Sequence, residues 1–519
     1  MNAASPRVAL RADASPRSGT GHVVRCLSLA TALRDAGARP CLVSRRLGID
    51  VAALAQRTGV ELVELAAPPA GFETTDPVPH AAWAGVDWQR DAEETAQALA
   101  GRDCERVVVD HYAFDARWHR RVSQALGARI AAIDDLADRE LAVDLLIDHN
   151  LCEDTRAKYA DRIDATTRVL GGPRHALLGR AYAALAPREP DDAVDSIGIF
   201  LGGVDAAGLS SLALRACRDV AGFSGAIEIA TTSAHPQLNA LRALATTQPP
   251  TTLLLDAPEL SAFFTRHGLQ IGAAGGATWE RCCAGAPMLL LVAADNQLAV
   301  VPQLVAFGAA AALPPEASRD LQQVGALVAE LLADAPRRRA MAQRARALVD
   351  GLGARRVALA MLGQRVELRA ARADDATMAQ AWRNHPATRE ASRDTREIPL
   401  DEHRLWWQRT LTDPTRRLFV AHVGRIDIGV LRLDLEGDRA EVSIYLDPAC
   451  TGLGMGPWLL RAVQRWAVGE GALRCLLAHI RPGNRASELA FAAAGFKRGE
   501  PLWTWMLEPA SPALHRRLT

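Results

Sequence analysis

The stretch SGTGHVVRCLSLA, Ser18 to Ala30, sets a histidine, His22, directly behind a glycine turn (Gly19, Gly21) and at the start of an apolar helix. An imidazole there has two uses. It can cap the helix, or it can take a proton from a water or hydroxyl attacking an electrophilic carbon. Two further glycine turns could hold an anionic leaving group. FLGGVDAAG, with Gly202 and Gly203, and IGAAGGATWERCCAGAP, with Gly275 and Gly276, each follow a strand-like run and precede a helix. Small residues at such a turn let a diphosphate approach backbone N–H groups where the helix dipole is positive. Tight packing is the competing reason for glycine. Glu280, about one turn into the second of these helices, could accept hydrogen bonds from ribose hydroxyls. Asn296 and Gln297, in NQLAVVPQL after the next strand, present amides suited to sugar hydroxyls or acetamido groups, or to capping a surface helix.

A second constellation lies near the C-terminus. LDPACTGLGMGPWLLRAVQRW places Thr451, Gly452, Gly454 and Gly456 between a strand and an amphipathic helix, a spacing that exposes successive N–H groups to a pyrophosphate. In the preceding strand, EVSIYL, the two-residue period puts Glu441, Ser443 and Tyr445 on one face. Such a face could supply a base, Glu441, acting directly or through water, and an acid, Tyr445; an exposed strand face is the alternative.

Two kinds of sheet must position these groups. From Arg7 short apolar runs (VALRAD, CLVSR, RVVVDHY, RIAAIDD, VDLLIDHN) alternate with helical patterns, and after a Pro- and acid-rich stretch the rhythm restarts (IGIFLGG, AIEIATT, TTLLLDAP, GLQIGAAGG, APMLLLVAA). Uninterrupted apolar strands separated by helices predict parallel sheets covered on both faces. The expected organisation is α/β: a Rossmann-like half over 1–184, a linker over 185–196, a second Rossmann-like half over 197–362 facing the first across a cleft, and an α+β domain over 366–510.

Composition narrows the chemistry. Sixty basic residues balance sixty acidic ones, so neither nucleic acid nor an anionic membrane is favoured as a partner. Lys158 and Lys497 are the only lysines and neither lies in a phosphate loop, which excludes P-loop NTPase chemistry and disfavours pyridoxal phosphate. Nine cysteines without a C-x-x-C pair argue against structural zinc and a disulfide framework. The most apolar stretch, Leu298 to Leu313, is broken by Pro302, Gln303 and Gly308, and the N-terminus has no signal-like apolar core, so a cytoplasmic enzyme is expected.

RADASPRSGTGHVVRCLSLATALRDAG, VVVDHYAFDARW, IDDLADRELAVDLLIDHNL, LGGVD and GAAGGATWERCCAGAP followed by NQ together resemble the UDP-sugar hydrolase of pseudaminic acid biosynthesis, over nearly the whole of Arg7 to Arg356. That family cleaves UDP from UDP-2,4-diacetamido-2,4,6-trideoxy-β-L-altropyranose and is similar to a two-domain (GT-B) glycosyltransferase whose acceptor is water. The resemblance implies a metal-independent, inverting hydrolysis with His22 as base. It implies nucleotide contacts in the GGATWE segment with Glu280 and sugar contacts at Asn296 and Gln297. Tyr112 and Asn150 stand in matching segments near strand ends. The C-terminal part, about Val366 to Leu507, resembles GNAT N-acetyltransferases through AHIRPGNRASELAFAAAGFKRG, with Asn484 and Ser487, and the glycine loop. WRNHPATREASRDTREIPLDEHRLWWQRTL is similar to the branch that acetylates amino groups of nucleotide sugars, which implies Arg383, Asn384, His403 and Trp406 in a substrate pocket and acetyl-CoA as cosubstrate. One of Trp406 and Trp407 is expected to be core. Thr451 and Phe491 depart from the pattern, the latter standing where many relatives carry a tyrosine acid.

The expectation is a bifunctional enzyme that N-acetylates a UDP-4-amino sugar and then hydrolyses the diacetamido product, with fusion raising the local concentration of the intermediate. Its rivals are a glycosyltransferase with a sugar acceptor, an acetyl-CoA-binding sensor, and a protein-amine acetyltransferase.

Overall fold

The computed structural model describes residues 5–507 except 187–189, 206, 472 and 500–501, and leaves the side chain of Asn296 undescribed. The chain forms two compact units, one from Met1–Arg34 and Ala38–Val357, the other from Asp35–Gly37 and Ala358–Thr519.

The first unit contains two parallel sheets. β1 (Arg7–Ala12), β2 (Arg39–Arg45), β3 (Glu61–Leu65), β4 (Cys104–Asp110), β5 (Arg129–Ile133), β6 (Leu145–Asp148) and β7 (Arg168–Gly171) lie in the order β3-β2-β1-β4-β5-β6-β7. β8 (Ser196–Phe200), β9 (Ala226–Thr231), β10 (Thr251–Leu255), β11 (Leu269–Ala273), β12 (Met288–Leu291) and β13 (Ala311–Ala312) lie in the order β10-β9-β8-β11-β12-β13. Both are Rossmann-like, and in both the order reverses beside the first strand, between β1 and β4 and between β8 and β11. A crevice is left outside the carboxyl ends at such a reversal, because the flanking connections leave toward opposite faces. The central strands read as continuous apolar runs because helices bury them on both sides: Val107, Val108, Leu146, Ile147, Ile199, Ile271, Leu289 and Leu290 are all fully buried.

A buried ion network ties the first crevice to the sheet. Arg11 on β1 bonds Asp13 at 2.5 and 2.9 Å and Asp91 at 2.6 and 3.2 Å; Asp91 also accepts from Arg45 at 2.8 Å and from the Trp118 indole at 3.0 Å. Asp13 accepts the backbone N–H of Arg45 at 2.7 Å as well. All four charged side chains are buried, so each depends on the others for compensation. Asp13 begins the loop that leads through Gly19 to His22. Residues 187–189 of the expected 185–196 linker lie outside the described residues, and Ser196 already opens β8.

The second unit is a mixed sheet, β14 (Glu367–Ala370), β15 (Arg416–Val423), β16 (Ile426–Glu436), β17 (Arg439–Leu446), β18 (Cys475–Ala478), β19 (Lys497–Arg498) and β20 (Trp503–Met506), ordered β14-β15-β16-β17-β18-β20-β19. Its pairs are antiparallel except β17 with β18, whose parallel register runs from Arg439↔Cys475 to Glu441↔Leu477 and stops there. β17 continues to Leu446 and β18 to Ala478, so the two strands part at their carboxyl ends. Among the described residues, no helix is long and apolar enough to cross a membrane.

Candidate functional site

The helix Gly21–Asp35 starts at the first crevice, with Gly19 at φ +71° turning the chain into it. Three residues on one face of its first turns, His22, Arg25 and Cys26 at i, i+3 and i+4, converge on Asp110, the last residue of β4. His22 Nδ1 lies 2.6 Å from Asp110 Oδ1, while Arg25 reaches Oδ2 at 2.5 Å and Oδ1 at 2.6 Å. Cys26 Sγ lies 3.7 Å from Oδ2. The carboxylate is buried, which by itself would favour the neutral acid, but Arg25 and then His22 outweigh burial and hold it well below the usual carboxylate range. An ionised acceptor at Nδ1 assigns the proton to that nitrogen and leaves Nε2 with its lone pair.

Around the ring stand Tyr112, edge-on at 4.7 Å between centroids, and Trp83 at 6.5 Å; His80 packs on both. Tyr112 donates to Asp135 Oδ1 at 2.5 Å, and burial followed by the Asp135 charge pushes its hydroxyl far up. Asn150 donates to Asp135 Oδ2 at 3.4 Å. The expected pair Tyr112 and Asn150 thus meets on one carboxylate. Next along the chain, Asp148 bonds Lys158 at 2.7 Å and is raised by burial to about 6. His149 Nε2 lies 3.4 Å from Arg25; burial and then Arg25 lower this imidazole to about 4, and its buried Nδ1 has no hydrogen-bond partner.

The second crevice carries the two glycine turns. At Gly275 and Gly276, before the helix Ala277–Ala284, an added Cβ would meet nothing within 4 Å, and neither residue has a positive φ. Neither packing against a Cβ nor backbone conformation demands glycine at these two positions. Gly202 differs: its φ of +99° itself favours glycine, and at Gly203 a Cβ would lie 3.0 Å from Thr232. Asp205, beside that turn, caps the following helix through the N–H groups of Leu209 and Ser210 at 3.0 and 2.8 Å. Glu280 is half-buried, and burial raises its carboxyl to about 7. Gln297 accepts the Ala293 N–H at 2.8 Å through its carbonyl. Asn296 lies in the same turn, and its side chain falls outside the described residues.

One contact joins the two crevices. Trp279, the neighbour of Glu280, meets His149 edge-on at 6.2 Å. His22, Arg25, His149 and Trp279 therefore form a continuous line from the imidazole to the helix that follows Gly275 and Gly276. Arg25, Asp110, Asp135 and His149 were not among the residues expected from sequence, and Trp279 was covered only as part of the GGATWE segment. A signal for Asp110, Asp135 and His149 was present: VVVD, AAIDD and LLIDH each place an ionisable residue at or just beyond the carboxyl end of an apolar strand.

In the second unit the loop Thr451–Gly454 enters the helix Met455–Glu470, with Gly452 at φ +80° and Gly454 at φ +67° and open space at Gly454. At Gly456 a Cβ would press on Ala490 at 3.1 Å, a packing role. Glu441 accepts from His479 Nδ1 at 3.0 Å and from Arg393 at 3.2 Å. The Tyr445 hydroxyl is buried without a hydrogen-bond partner, and burial raises it. One terminal nitrogen of Arg383 donates to the Asp394 carbonyl at 2.7 Å; the other is buried and unpartnered.

Other expected pocket residues are engaged in structure. Asn384 clasps Ile398 through both its amide groups, at 2.8 and 2.9 Å. Asn484 caps the helix Arg485–Ala493 by accepting the Ser487 N–H at 3.1 Å. Phe491 is buried against Phe496. His403 is buried with its ring 5.6 Å from both Trp406 and Trp407. Trp407 is the core member of the pair, fully buried with its indole on the Arg372 carbonyl at 2.9 Å, while Trp406 is half-buried below Arg432.

Residues 365–497 match the family model of the acetyltransferase (GNAT) domain. Among solved structures the chain is similar to MurG of Acinetobacter baumannii (17% identity, 68% of this chain and 98% of that one, TM-score 0.45). It is similar to MnaA of S. aureus in a co-structure with UDP (12% identity, 69% and 96%, TM-score 0.48). Its last third is similar to the aminoglycoside acetyltransferase AAC(6')-Ib in complex with coenzyme A and kanamycin (17% identity, 30% and 99%, TM-score 0.26). No curated protein sequence matches the chain. The sheet orders make the fold two Rossmann-like parallel sheets followed by an α+β domain, over which the acetyltransferase (GNAT) model matches.

Proposed function

We propose that the first unit hydrolyses a UDP-linked amino sugar and that the GNAT domain N-acetylates such a sugar before UDP is removed, as in nonulosonic acid synthesis. UDP-2,4-diacetamido-2,4,6-trideoxy-β-L-altropyranose and its 4-amino precursor are the substrates to which the motifs point. The observation that carries this reading is the His22–Asp110–Arg25 cluster at one crevice, joined through His149 and Trp279 to a glycine turn that nothing in the fold requires to be glycine.

In this reading Asp110 holds Nδ1–H, and His22 Nε2 accepts the proton of a water attacking the anomeric carbon. The oxygen–carbon bond forms as the carbon–diphosphate bond breaks on the opposite side, which inverts the centre. The backbone N–H groups after Gly275 and Gly276 receive the developing charge on UDP. Asp110 stabilises the imidazolium that results, and Tyr112 and Trp83 shield the ring from bulk water.

The test is mass spectrometry of the purified chain with a UDP-4-amino sugar and acetyl-CoA. The wild type yields free diacetamido sugar and UDP. His22→Ala accumulates the acetylated nucleotide sugar. Unchanged hydrolysis in that variant removes His22 from the mechanism, and UDP release only on addition of a sugar acceptor replaces hydrolysis by glycosyl transfer.

A further inference from the structure

We propose that His479, held by Glu441, is the proton acceptor for acetyl transfer in the GNAT domain. This rests on the acetyltransferase reading of that domain and changes the role of Glu441 from base to positioning residue.

The placement follows from the register of the sheet. The last parallel pair between β17 and β18 is Glu441↔Leu477, and partners in register share a face. His479, two residues beyond Leu477, therefore returns to the face that carries Glu441, Ser443 and Tyr445. It also stands past the point where the two strands part, at the mouth of the opening that suits an extended thioester. The 3.0 Å bond from Nδ1 to Glu441 Oε1 confirms the shared face and, by occupying Nδ1, leaves Nε2 for a substrate amine. The imidazole is 41% exposed, so an acceptor can reach it.

The surroundings hold the pair in place. Among the described residues, the charged group bonded to the ring is Glu441 from β17, which Arg393, from the segment after the helix Pro386–Ala391, also reaches; Arg481 lies two residues on from His479, in the loop after β18. Arg393 shares Glu441 Oε1 at 3.2 Å. Arg481 donates to the carbonyls of Glu390 and Ser392 at 2.8 and 3.2 Å, and so fixes the segment that carries Arg393. A carboxylate with a second hydrogen-bonded cation is a fixed anchor for an imidazole, and a poor base itself because its charge is already satisfied.

The step balances with acetyl-CoA and an amine as reactants. The amine nitrogen attacks the acetyl carbonyl carbon, its lone pair forming the C–N bond. One N–H proton passes to His479 Nε2. The C–S bond breaks with its electron pair on sulfur, and the thiolate takes a proton from Tyr445 or solvent.

The experiment follows free thiol with the full chain, acetyl-CoA and a panel of amines that includes a UDP-4-amino sugar, for wild type, His479→Gln and Glu441→Gln. Coenzyme A affinity is measured alongside as a check on folding. His479→Gln is expected to lower kcat/KM by about 10²-fold or more and to abolish the imidazole inflection of the pH profile, with coenzyme A affinity retained. Glu441→Gln keeps the inflection and lowers kcat/KM by a smaller factor, because the ring loses the charge of its anchor but keeps its free nitrogen. A His479→Gln enzyme with wild-type kcat/KM and pH profile overturns the proposal, as does an inflection that disappears in Glu441→Gln but persists in His479→Gln. Activity on another amine with none on the nucleotide sugar overturns the substrate reading and leaves the histidine test to be run on that amine. A wild type that releases no thiol with any amine overturns both.

Discussion

Asp110→Asn tests the centre of the hydrolytic reading. The substitution keeps the shape of the side chain and removes its charge. Asp110 accepts three short charge-assisted bonds, two from Arg25 and one from His22, and Oδ1 receives one from each. An asparagine amide placed at the Oδ2 position sets N–H against one Arg25 donor and loses one bond, and placed at the Oδ1 position it loses the bonds from both Arg25 and His22. The larger effect is on the reaction. An imidazolium whose charge centre lies about 4 Å from that of a carboxylate gains about 4 kcal/mol at an effective dielectric of ~20. Arg25 neutralises part of the same carboxylate, which leaves about 3 kcal/mol for the transition state, or roughly 10²-fold in kcat. UDP release from the diacetamido nucleotide sugar at saturating substrate measures this directly, and KM should move little because Asp110 is buried away from the ligand. Nuclear magnetic resonance of the His22 ring nitrogens reports the proton on Nδ1 in the wild type. A kcat within a few-fold of wild type, with the enzyme folded, refutes the assignment of Asp110 as the partner of a general base.

Three further outcomes are expected. Gly275→Val leaves thermal unfolding of the first unit nearly unchanged, since its Cβ has open space, but lowers UDP affinity by about tenfold or more through one or two lost backbone bonds of about 1 kcal/mol each; calorimetry with UDP reads the loss. Glu280, raised by burial to about 7, is stabilising while protonated, so its contribution to folding is present below the ordinary carboxylate range and is lost as pH rises through about 7. If the carboxylate accepts ribose hydroxyls, UDP affinity rises across the same interval in wild type and more weakly in Glu280→Gln; parallel pH curves for the two would separate Glu280 from the nucleotide. Asp91→Ala leaves Arg11 on Asp13 and Arg45 on Glu94, each guanidinium having lost a buried carboxylate, and should cost about 3 kcal/mol or more, seen as a large drop in the unfolding midpoint of the first unit; a shift near zero would mean that water or a repacked side chain replaces the anion.

Much of the scaffold was readable because burial leaves a strong mark. Apolar runs such as VALRA, VVVD and LLID have no polar face, and that is the signature of strands covered on both sides. The edge strands β3 and β7, ELVEL and RVLG, are partly exposed, and their mixed composition hid them. His22 and the glycine turns were legible through local spacing. Asp110 was not, since it is 88 residues from His22 and meets it only because β4 pairs with β1 across a reversal of strand order. Local chemistry also misleads in the second unit. Asn384 and Asn484 have the residue type for a substrate pocket, yet one closes a loop on Ile398 and the other caps a helix, contacts that depend on where distant backbone groups fall.

The three sheets share one physical feature at their polar clusters. A sheet buries its backbone groups by pairing and its apolar faces by packing, and both operations fail at particular places. In the two parallel sheets the failure comes at the reversal of strand order, where the connections after β1 and β4 and after β8 and β11 diverge to opposite faces. In the mixed sheet it comes where β17 and β18 stop pairing after Glu441. His22 with Asp110, Gly275 with Glu280, and His479 with Glu441 each stand at one of these openings. Fold topology therefore determines where reactive groups can be solvent-accessible and still held by buried partners. Side chains there can be exchanged without emptying a core, so loss of activity with retained folding is the result that identifies each of them as functional.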